Sequence, residues 1–435
     1  MSRSRLWLLP VLLVALVGGA WYFDAQGKKG DRELDVYVTG GRRMAAGEEI
    51  YRRGADGKPF TYPPFAAVPF VPFASLPESW HSEAWFVVNF LILLGVIRFL
   101  HRYATSADSG RGPPRLWWFW VVTAAYGGRH VVSVFTNQSN DLLILGLVCL
   151  VAASWSRARP AASMWSGVWA GLGAAMKATP LLFVGLFGLR MRWLALAAMF
   201  VAIAAATLLP DALWPRADGD SWWHAWYAVN LQGLEVGGTA EAQGAWHPHS
   251  VLNQSLGGAT RRLFTPLDIA HNSFVVGEQG DVLLVELSPG MHKAVTLLLQ
   301  VGVLAVIAFA VLCAKRAVRA AGDAAAATQR RVALGEVAAF ACGMVLLSPQ
   351  SSKSHFCVWL FPVAFVMQQL LRGHRDRLAL LLFVGSFVLA MLSKGLLGRD
   401  AANLLLAYGN VTWATLLLLL ATTRCLQVVA RDVDR

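Results

Sequence analysis

The chain alternates between long apolar runs and short polar segments. A helix needs about 20 mostly apolar residues to cross the ~30 Å hydrocarbon core of a bilayer. Most of the apolar runs approach that length, so the pattern predicts an all-α polytopic membrane protein with roughly 11 to 12 transmembrane helices. The runs are residues 6–23, 83–101, 116–135, 140–156, 163–178, 180–190, 193–210, 291–314, 332–348, 355–371, 377–396 and 403–423.

Two consecutive runs, 163–178 and 180–190, are too short to cross a bilayer as ideal helices. They flank the sequence Lys177-Ala-Thr-Pro180. Because irregular backbone at membrane depth is tolerated only where it lines a protein cavity, we expect one broken or re-entrant element here.

The first run, 6–23, follows Arg3 and Arg5, so a cleaved signal peptide is one interpretation. The run is about long enough to span a bilayer, and its Gly-Gly-Ala followed by Trp-Tyr-Phe is a poor cleavage site. We therefore expect a retained first helix.

The placement of arginine and lysine predicts the orientation. With a cytoplasmic N-terminus, the basic clusters around 98–115, 157–159, 190–192, 315–331 and 372–377 all fall on the inner side. The short connections on the opposite side carry few basic residues. Both termini are thus predicted to be cytoplasmic, and the two long loops, 24–82 and 211–290, extracytoplasmic.

Composition agrees with this topology. Hydrophobic residues make up 56% of the 435 and charged residues only 15%, too little charge for the surface of a soluble domain of this size. The net charge of +12 is explained by the inner basic clusters, so nucleic acid is not an expected partner. The five cysteines show no disulfide or zinc spacing.

The first long loop carries acids that are candidates for a general base. It contains Asp35-Val-Tyr37 and, further on, Tyr62-Pro-Pro. A partly desolvated carboxylate near the membrane surface can take the proton of an acceptor hydroxyl. The plain alternative is a solvated loop acid, since nine acids occur up to Glu83.

Two polar groups interrupt the apolar runs further along. The first is a cluster that contains Asn137, Gln138 and Asn140 and ends at Asp141; the second is Lys177. Polar groups at such depth are costly and are candidates for function, and a lysine there suits an anionic ligand. An outside turn, and snorkelling of the lysine to the headgroups, are the alternatives.

The second loop and a late turn hold the remaining candidates. Clustered tryptophans precede Asn253-Gln254 and Arg261 in the loop. Tryptophan faces stack on sugars and arginines hold phosphate, although an interfacial helix explains the tryptophans equally well. The segment Leu347-Ser-Pro-Gln-Ser-Ser-Lys353-Ser-His355 suits phosphate binding or proton handling, or is an ordinary polar turn.

Taken together, these segments resemble glycosyltransferase family 87, integral-membrane GT-C enzymes that include polyprenyl-phosphate-mannose-dependent mannosyltransferases. The resemblance covers most of the chain and implies one GT-C-type bundle over residues 1–435. The family's usual turn reads Gly-Gln-x-Asn, whereas this chain has Asn137 in place of the glycine. The motifs that carry the resemblance are Asp35-x-Tyr37, Gly47-x-x-x-Tyr51, Tyr62-Pro-Pro64, Asn137-Gln-Ser-Asn140, Lys177-x-x-Pro180, Asn253-Gln-Ser-Leu256 before Arg261, and Leu347-Ser-Pro349 before His355.

The resemblance implies inverting transfer of a sugar, mannose, from a polyprenyl-phosphate donor to a lipid-linked or cell-envelope glycan acceptor. The reaction would take place among membrane lipids, on the extracytoplasmic side of the cell membrane. Asp35 would be the general base and His355 an active-site residue. No cofactor and no metal are expected, because fixed cations can stabilise the leaving phosphate. Those cations would be Lys177, Arg261 and Lys353, and the substrate-lining residues Tyr37, Tyr62, Asn137, Gln138, Asn140, Asn253 and Gln254.

Two other classes of protein remain open at this point. A transporter or flippase of a lipid-linked sugar would also have a broken helix and an intramembrane lysine. Such transporters usually carry internal repeats, and no convincing repeat relates the halves of this chain. A polymerase or ligase of lipid-linked glycans would favour an arginine-rich outer loop, whereas loop 211–290 is rich in tryptophan.

Overall fold

The computed structural model describes residues 18–22, 25, 32–51, 58–105, 116–157, 159–232, 249–267, 282–372 and 376–433. Regular structure in these ranges is entirely helical. The helices that position the site are α1 Glu33–Ala45, α2 His81–Thr105, α3 Leu116–Asn137, α4 Asp141–Trp155, α5 Pro160–Met176, α6 Phe183–Leu189, α7 Trp193–Leu213, α8 Leu256–Phe264, α9 Pro289–Ala320, α10 Ala325–Leu346, α11 Leu360–Leu371, α12 Arg377–Met391, α13 Arg399–Ala407 and α14 Asn410–Val433. Shorter helical segments lie at Pro64–Phe70, Val71–Ala74, Glu78–Trp80, Thr179–Leu182, Trp222–Trp226, Tyr227–Leu231, Gly322–Ala324, His355–Trp359 and Lys394–Leu397.

Four segments in the described ranges are long and apolar enough to cross a membrane: Glu78–Thr105, which contains α2, and α7, α9 and α14. Shorter apolar helices pack among them, including α4 and α12. Large apolar side chains such as Leu298 (71% exposed) and Leu381 (69% exposed) point away from the protein, as expected of surfaces that face lipid. The all-α polytopic membrane architecture is therefore confirmed; the number of crossings stays a prediction.

The predicted break around Lys177 is confirmed. Helix α5 ends at Met176, and Lys177 has an extended backbone (φ −153°, ψ 121°). A short 3₁₀ turn, Thr179–Leu182, then leads into α6. Pro180 explains the break, because it lacks an N–H and its ring obstructs the preceding turn of an α-helix. The chain therefore presents Lys177 where no helix constrains it.

Helices α5 and α7 pack at unusually close range. A side chain at Gly167 would overlap the backbone carbonyl of Ala195, and one at Gly171 would lie 2.5 Å from the carbonyl oxygen of Met199. The two glycines stand four residues apart on one helix face, the small-xxx-small arrangement that lets membrane helices approach. This packing fixes α5, and with it the break at its end.

Several helix ends differ from the hydropathy runs. Helix α9 continues to Ala320 and α14 to Val433, beyond the predicted ends at 314 and 423. The predicted run 403–423 is split, because Gly409 adopts φ +79° between α13 and α14. Hydropathy detects only the part of a helix that lies in hydrocarbon, whereas hydrogen bonding continues into the polar interface. Most of the predicted first helix, 6–23, lies outside the described residues.

A buried ion pair joins helices at the end of the bundle opposite to Lys177. Arg190, which follows α6, has its Nε 3.3 Å from Oε1 of Glu336 in α10. The indole of Trp155 in α4 donates to the other oxygen of Glu336 at 2.7 Å. Both charged side chains are almost fully buried. Three helical regions are thereby connected at this end.

Candidate active site

Three breaks in the helices meet at one end of the bundle, which we call the polar end: turns 137–140, 177–179 and 347–354. Asp141, the first residue of α4, lies at their centre and is 4% exposed. The Lys177 ammonium lies 2.6 Å from Oδ1 of Asp141, and Nε2 of His355 lies 3.6 Å from the same oxygen. Residues from three distant parts of the chain thus converge on one carboxylate.

The carboxylate of Asp141 is held on both oxygens. Ser139 donates to Oδ2 at 2.9 Å, and Lys177 occupies Oδ1. The position at the start of α4 is also favourable, since the N-terminal end of a helix attracts negative charge. Asp141 is therefore fixed and has little freedom to accept a proton from a substrate.

His355 has a defined tautomer in this arrangement. The backbone N–H of Ser352 donates to its Nδ1 at 2.9 Å, so Nδ1 carries no proton. In the neutral ring the proton is then on Nε2, the nitrogen that faces Asp141. His355 is consequently arranged to donate a hydrogen bond through Nε2.

A small cavity of about 20 Å³ lies beside these side chains and has room for about one water molecule. Such a space admits an oxygen atom but not a sugar ring. Its polar lining comprises Asp141, Lys177, Thr179, Ser348, Ser351 and His355.

Two tyrosines of the first loop border this group. The Tyr62 ring lies 5.7 Å from Nζ of Lys177, and the hydroxyls of Tyr37 and Tyr62 are 3.2 Å apart. Tyr37 donates to Glu33 at 2.8 Å. Burial, reinforced by the Glu33 carboxylate, raises the pKa of both phenols well above the usual range. Both therefore stay protonated at neutral pH and act as hydrogen-bond donors.

Asp35 lies at the rim of the polar end rather than in the Asp141 group. Its side chain is half exposed and pairs with Nε of Arg32 at 3.0 Å. Arg32 also donates to Ser82 at 2.9 Å, and the Gln138 amide donates to Ser82 at 3.1 Å. Asp35 is thus connected to turn 137–140 through two side chains and keeps an accessible carboxylate.

Turn 137–140 places its three predicted residues differently. Asn137 is exposed. Gln138 is buried with a positive φ of 53°, and its carbonyl accepts from the Trp85 indole at 3.1 Å. Asn140 is fully buried, and its side-chain amide has no hydrogen-bond partner among the described residues. Such an amide next to Asp141 is suited to a polar ligand.

The predicted residues of the second loop hold the turn that precedes His355. The Asn253 amide donates to the Pro349 carbonyl at 2.9 Å and accepts from the Ser351 N–H at 3.0 Å. The Gln254 amide donates to the Leu406 carbonyl at 2.7 Å. Both side chains thus form hydrogen bonds mainly with backbone groups of the protein.

The two neighbouring arginines of α8 differ in their surroundings. Arg262 is buried and donates to the carbonyls of Ser250 and Asn253 at 2.8 and 2.7 Å and to that of Ala407 at 2.9 Å. Its guanidinium therefore clamps the second loop to the end of α13. Arg261 is partly buried, and its Nε has no hydrogen-bond partner in the described ranges.

Lys353 faces another group of residues. Its carbonyl accepts from Nδ1 of His130 at 2.7 Å, and Arg129 and Lys394 are the charges near its ammonium. Of the predicted phosphate-binding residues, the structure brings Lys177 to His355 and places Lys353 elsewhere.

In the sequence, Asp141 is only the end of a polar cluster and is not among the predicted site residues. One signal in the sequence could have identified it, because it is the only Asp or Glu between residues 109 and 210. A single acid among apolar helices is a candidate for function, and its charge requires a cationic partner. Lys177 is the single lysine in the same stretch of sequence and is therefore the natural candidate for that partner.

Comparison with known proteins identifies the family of the chain. The profile of glycosyltransferase family 87 matches residues 60–349, about two thirds of the chain. Within the described ranges, no group of three or more His, Cys, Asp or Glu side chains is placed to hold a metal ion. No solved structure matches the chain significantly.

Two relatives indicate how far the similarity extends. A polyprenol-phosphate-mannose-dependent alpha-(1-2)-phosphatidylinositol mannoside mannosyltransferase of Mycobacterium tuberculosis is 30% identical over 242 residues, 52% of this chain and 55% of that protein. A polyprenol-phosphate-mannose-dependent alpha-(1-2)-phosphatidylinositol pentamannoside mannosyltransferase of Mycolicibacterium smegmatis is 28% identical over 439 residues, 97% of this chain and 91% of that protein. The profile match over residues 60–349, which include Asp141 and Lys177, shows that the chain belongs to glycosyltransferase family 87.

Proposed function

We propose that this protein transfers mannose from a polyprenyl-phosphate donor to a hydroxyl of a lipid-linked acceptor of the phosphatidylinositol mannoside type. The observation that carries the proposal is the convergence of Lys177 and His355 on Asp141, beside the loop that carries Asp35. Family membership and the names of the relatives support the donor and the acceptor class. The distribution of basic residues supports an extracytoplasmic polar end and cytoplasmic termini.

In the proposed step the acceptor hydroxyl gives its proton to Asp35, and its oxygen attacks the anomeric carbon. The bond from that carbon to the phosphate oxygen breaks, and its electron pair leaves with the phosphate. One displacement inverts the anomeric configuration. The donor phosphodiester carries a single negative charge and the departing polyprenyl phosphate carries two, so negative charge develops on the phosphate oxygens.

Lys177 and His355 are the groups that would stabilise this charge. The ammonium of Lys177 has N–H bonds left after its contact with Asp141, and His355 presents its Nε2–H to the same space. Fixed donors aimed at developing charge contribute strongly to catalysis. The cavity beside them suits a phosphate oxygen, so the sugar would lie above it, towards Tyr37 and Asp35.

Asp35 suits the role of general base better than Asp141. A base needs an oxygen within reach of the acceptor, and the half-exposed Asp35 offers one. Both oxygens of Asp141 are occupied by Ser139 and Lys177. We therefore assign Asp141 to positioning Lys177 and His355.

The test is transfer of radiolabelled mannose from polyprenyl-phosphate-mannose to lipid acceptors by the membrane-embedded protein. Asp35→Asn should lower the rate by about 100-fold or more. Glu78→Gln, at an exposed acid of the same loop, should keep the wild-type rate. Full activity of Asp35→Asn would overturn the assignment of the base. Passage of intact donor across vesicles without release of polyprenyl phosphate would instead support a transporter.

A further inference from the structure

Arg129 lies within α3, whose apolar run 116–135 is predicted from the sequence to cross the membrane. It lies about two turns before α3 ends at Asn137, and its side chain is partly buried. Its Nε donates to Nε2 of His130 at 3.1 Å. Among the described residues no carboxylate lies within ion-pairing distance of its guanidinium. A cation at such depth is costly unless an anion compensates it.

One lysine, Lys353, lies near this arginine, because its carbonyl accepts from the His130 ring that Arg129 contacts. Arg129 and Lys394 are both within electrostatic reach of Lys353. Neither lysine has an ion-pair partner in the part of the chain that the structure describes. Lys353 and Lys394 are exposed and Arg129 is partly buried. Because like charges repel, an anion bound among these three cations would be favourable. The combination is therefore suited to a phosphate group.

This cationic group is distinct from the Asp141 group. The charges around His355 are Asp141 and Lys177, which neutralise each other. The charges around Lys353 are Arg129 and Lys394, all of one sign. His130 joins the cationic group to segment 353–355, since its Nδ1 donates to the Lys353 carbonyl at 2.7 Å. Two separate groups of charged side chains thus border one short segment of chain, residues 353–355.

Apolar surface surrounds the cationic group. A side chain at Gly128 would meet nothing within 4 Å, and Ala124 and Ala125 on the same helix are exposed. Next to Lys394, Leu396 is 66% exposed and Leu397 is 38% exposed. Open apolar surface beside cations can accommodate acyl chains and a phosphate at once, so this surface fits a phospholipid better than a free phosphate.

We propose that Arg129, Lys353 and Lys394 bind the phosphodiester of the lipid that anchors the acceptor. This inference rests on the proposed function. The donor phosphate is bonded to the reacting carbon and must lie beside Lys177 and His355. The phosphate of a phosphatidylinositol mannoside is separated by sugars from its growing end, and so requires cations away from the Asp141 group. Lys353, expected from the sequence at the donor phosphate, is thereby assigned to the acceptor.

Binding of defined lipids to the purified protein tests the site without any reaction. The probes are phosphatidylinositol, polyprenyl phosphate and diacylglycerol, which lacks the phosphate, measured by native mass spectrometry. Arg129→Gln should weaken phosphatidylinositol binding by about tenfold and leave diacylglycerol unchanged. Arg399→Gln, at an exposed cation that follows Lys394 closely in sequence, should bind like the wild type. If Arg129→Gln fails to fold, Lys394→Gln, at an exposed position, provides the same test.

Each outcome decides the matter. Loss of polyprenyl phosphate binding alone in Arg129→Gln would show a donor site and overturn the assignment to the acceptor. Unchanged binding of both phospholipids, or an equal loss in Arg399→Gln, would overturn the site itself. Supporting kinetics would be a raised KM for phosphatidylinositol mannoside with an unchanged KM for a soluble mannoside acceptor. If the wild type transfers no mannose but binds phosphatidylinositol through Arg129, the proposed function fails while the lipid site stands.

Discussion

The ammonium of Lys177 lies 2.6 Å from the carboxylate of Asp141, although 36 residues separate them in sequence. The pair joins the break after α5 to the first turn of α4. Its side chains are only 14% and 6% exposed, so solvent compensates neither charge when the other is removed.

Removal of both partners of this pair should cost less stability than the two single removals added together. We expect Asp141→Asn and Lys177→Met each to lower the free energy of unfolding by about 3–5 kcal/mol, because each leaves a buried charge without its counterion. The double variant should lose clearly less than the sum. Unfolding of the purified protein in detergent measures this, and strictly additive losses would show that the two charges do not depend on each other.

Substitutions of His355 should separate a hydrogen-bond donor from a proton acceptor. The amide of His355→Gln can present an N–H near the position of Nε2, whereas His355→Ala cannot. We expect the alanine variant to lose about 100-fold in kcat and the glutamine variant distinctly less. The measurement is kcat at saturating donor. Equal losses in both variants would indicate that His355 acts as a base.

Acid should loosen the part of the second long loop that pairs with the first. The Arg216 guanidinium lowers the pKa of Asp218 to about 2 and also pairs with Glu49 of the first loop at 2.7 Å. A pKa lowered by folding means that ionised Asp218 stabilises the folded state above its ordinary pKa of about 4. That stabilisation is lost as the pH falls from about 4 towards 2.

Hydrogen exchange of segment 214–222, corrected for the intrinsic effect of pH, measures this loss. Protection should fall as the pH is lowered from about 4 towards 2, and Asp218→Asn should show a smaller change. Asp400→Asn, at an exposed acid of α13, should retain the wild-type change. An identical fall in the Asp218 variant would show that another group is responsible.

The buried pair of Glu336 and Arg190 should contribute to the stability of the fold but not to binding of the sugar donor. Glu336→Gln leaves the Arg190 cation buried without its counterion and should cost about 3–5 kcal/mol in unfolding free energy. Because this pair lies at the opposite end of the bundle from Lys177, the KM for the donor should be unchanged in the fraction of protein that remains folded. Replacing Arg190 by Met as well should recover part of the loss. A raised donor KM would show that this end communicates with the site.

The sequence by itself determined the architecture and the family. Long apolar runs can bury their backbone in lipid only as helices, so hydropathy was sufficient for the all-α membrane class. Pro180 was sufficient for the break at Lys177, because the effect of a proline is local. The order of short motifs indicated the family that the profile match confirms.

Only the tertiary structure decided which polar residues share a site. The packing of α4, the broken element at Lys177 and turn 347–354 brings together Asp141, Lys177 and His355. No local sequence pattern encodes the distances between these side chains. The same packing uses Asn253 and Gln254 to hold backbone and turns Lys353 towards Arg129. A polar residue in a membrane helix is energetically unfavourable unless it has a partner, and this much can be read from the sequence. Which residue is its partner, and hence what its role is, depends on which helices lie beside it.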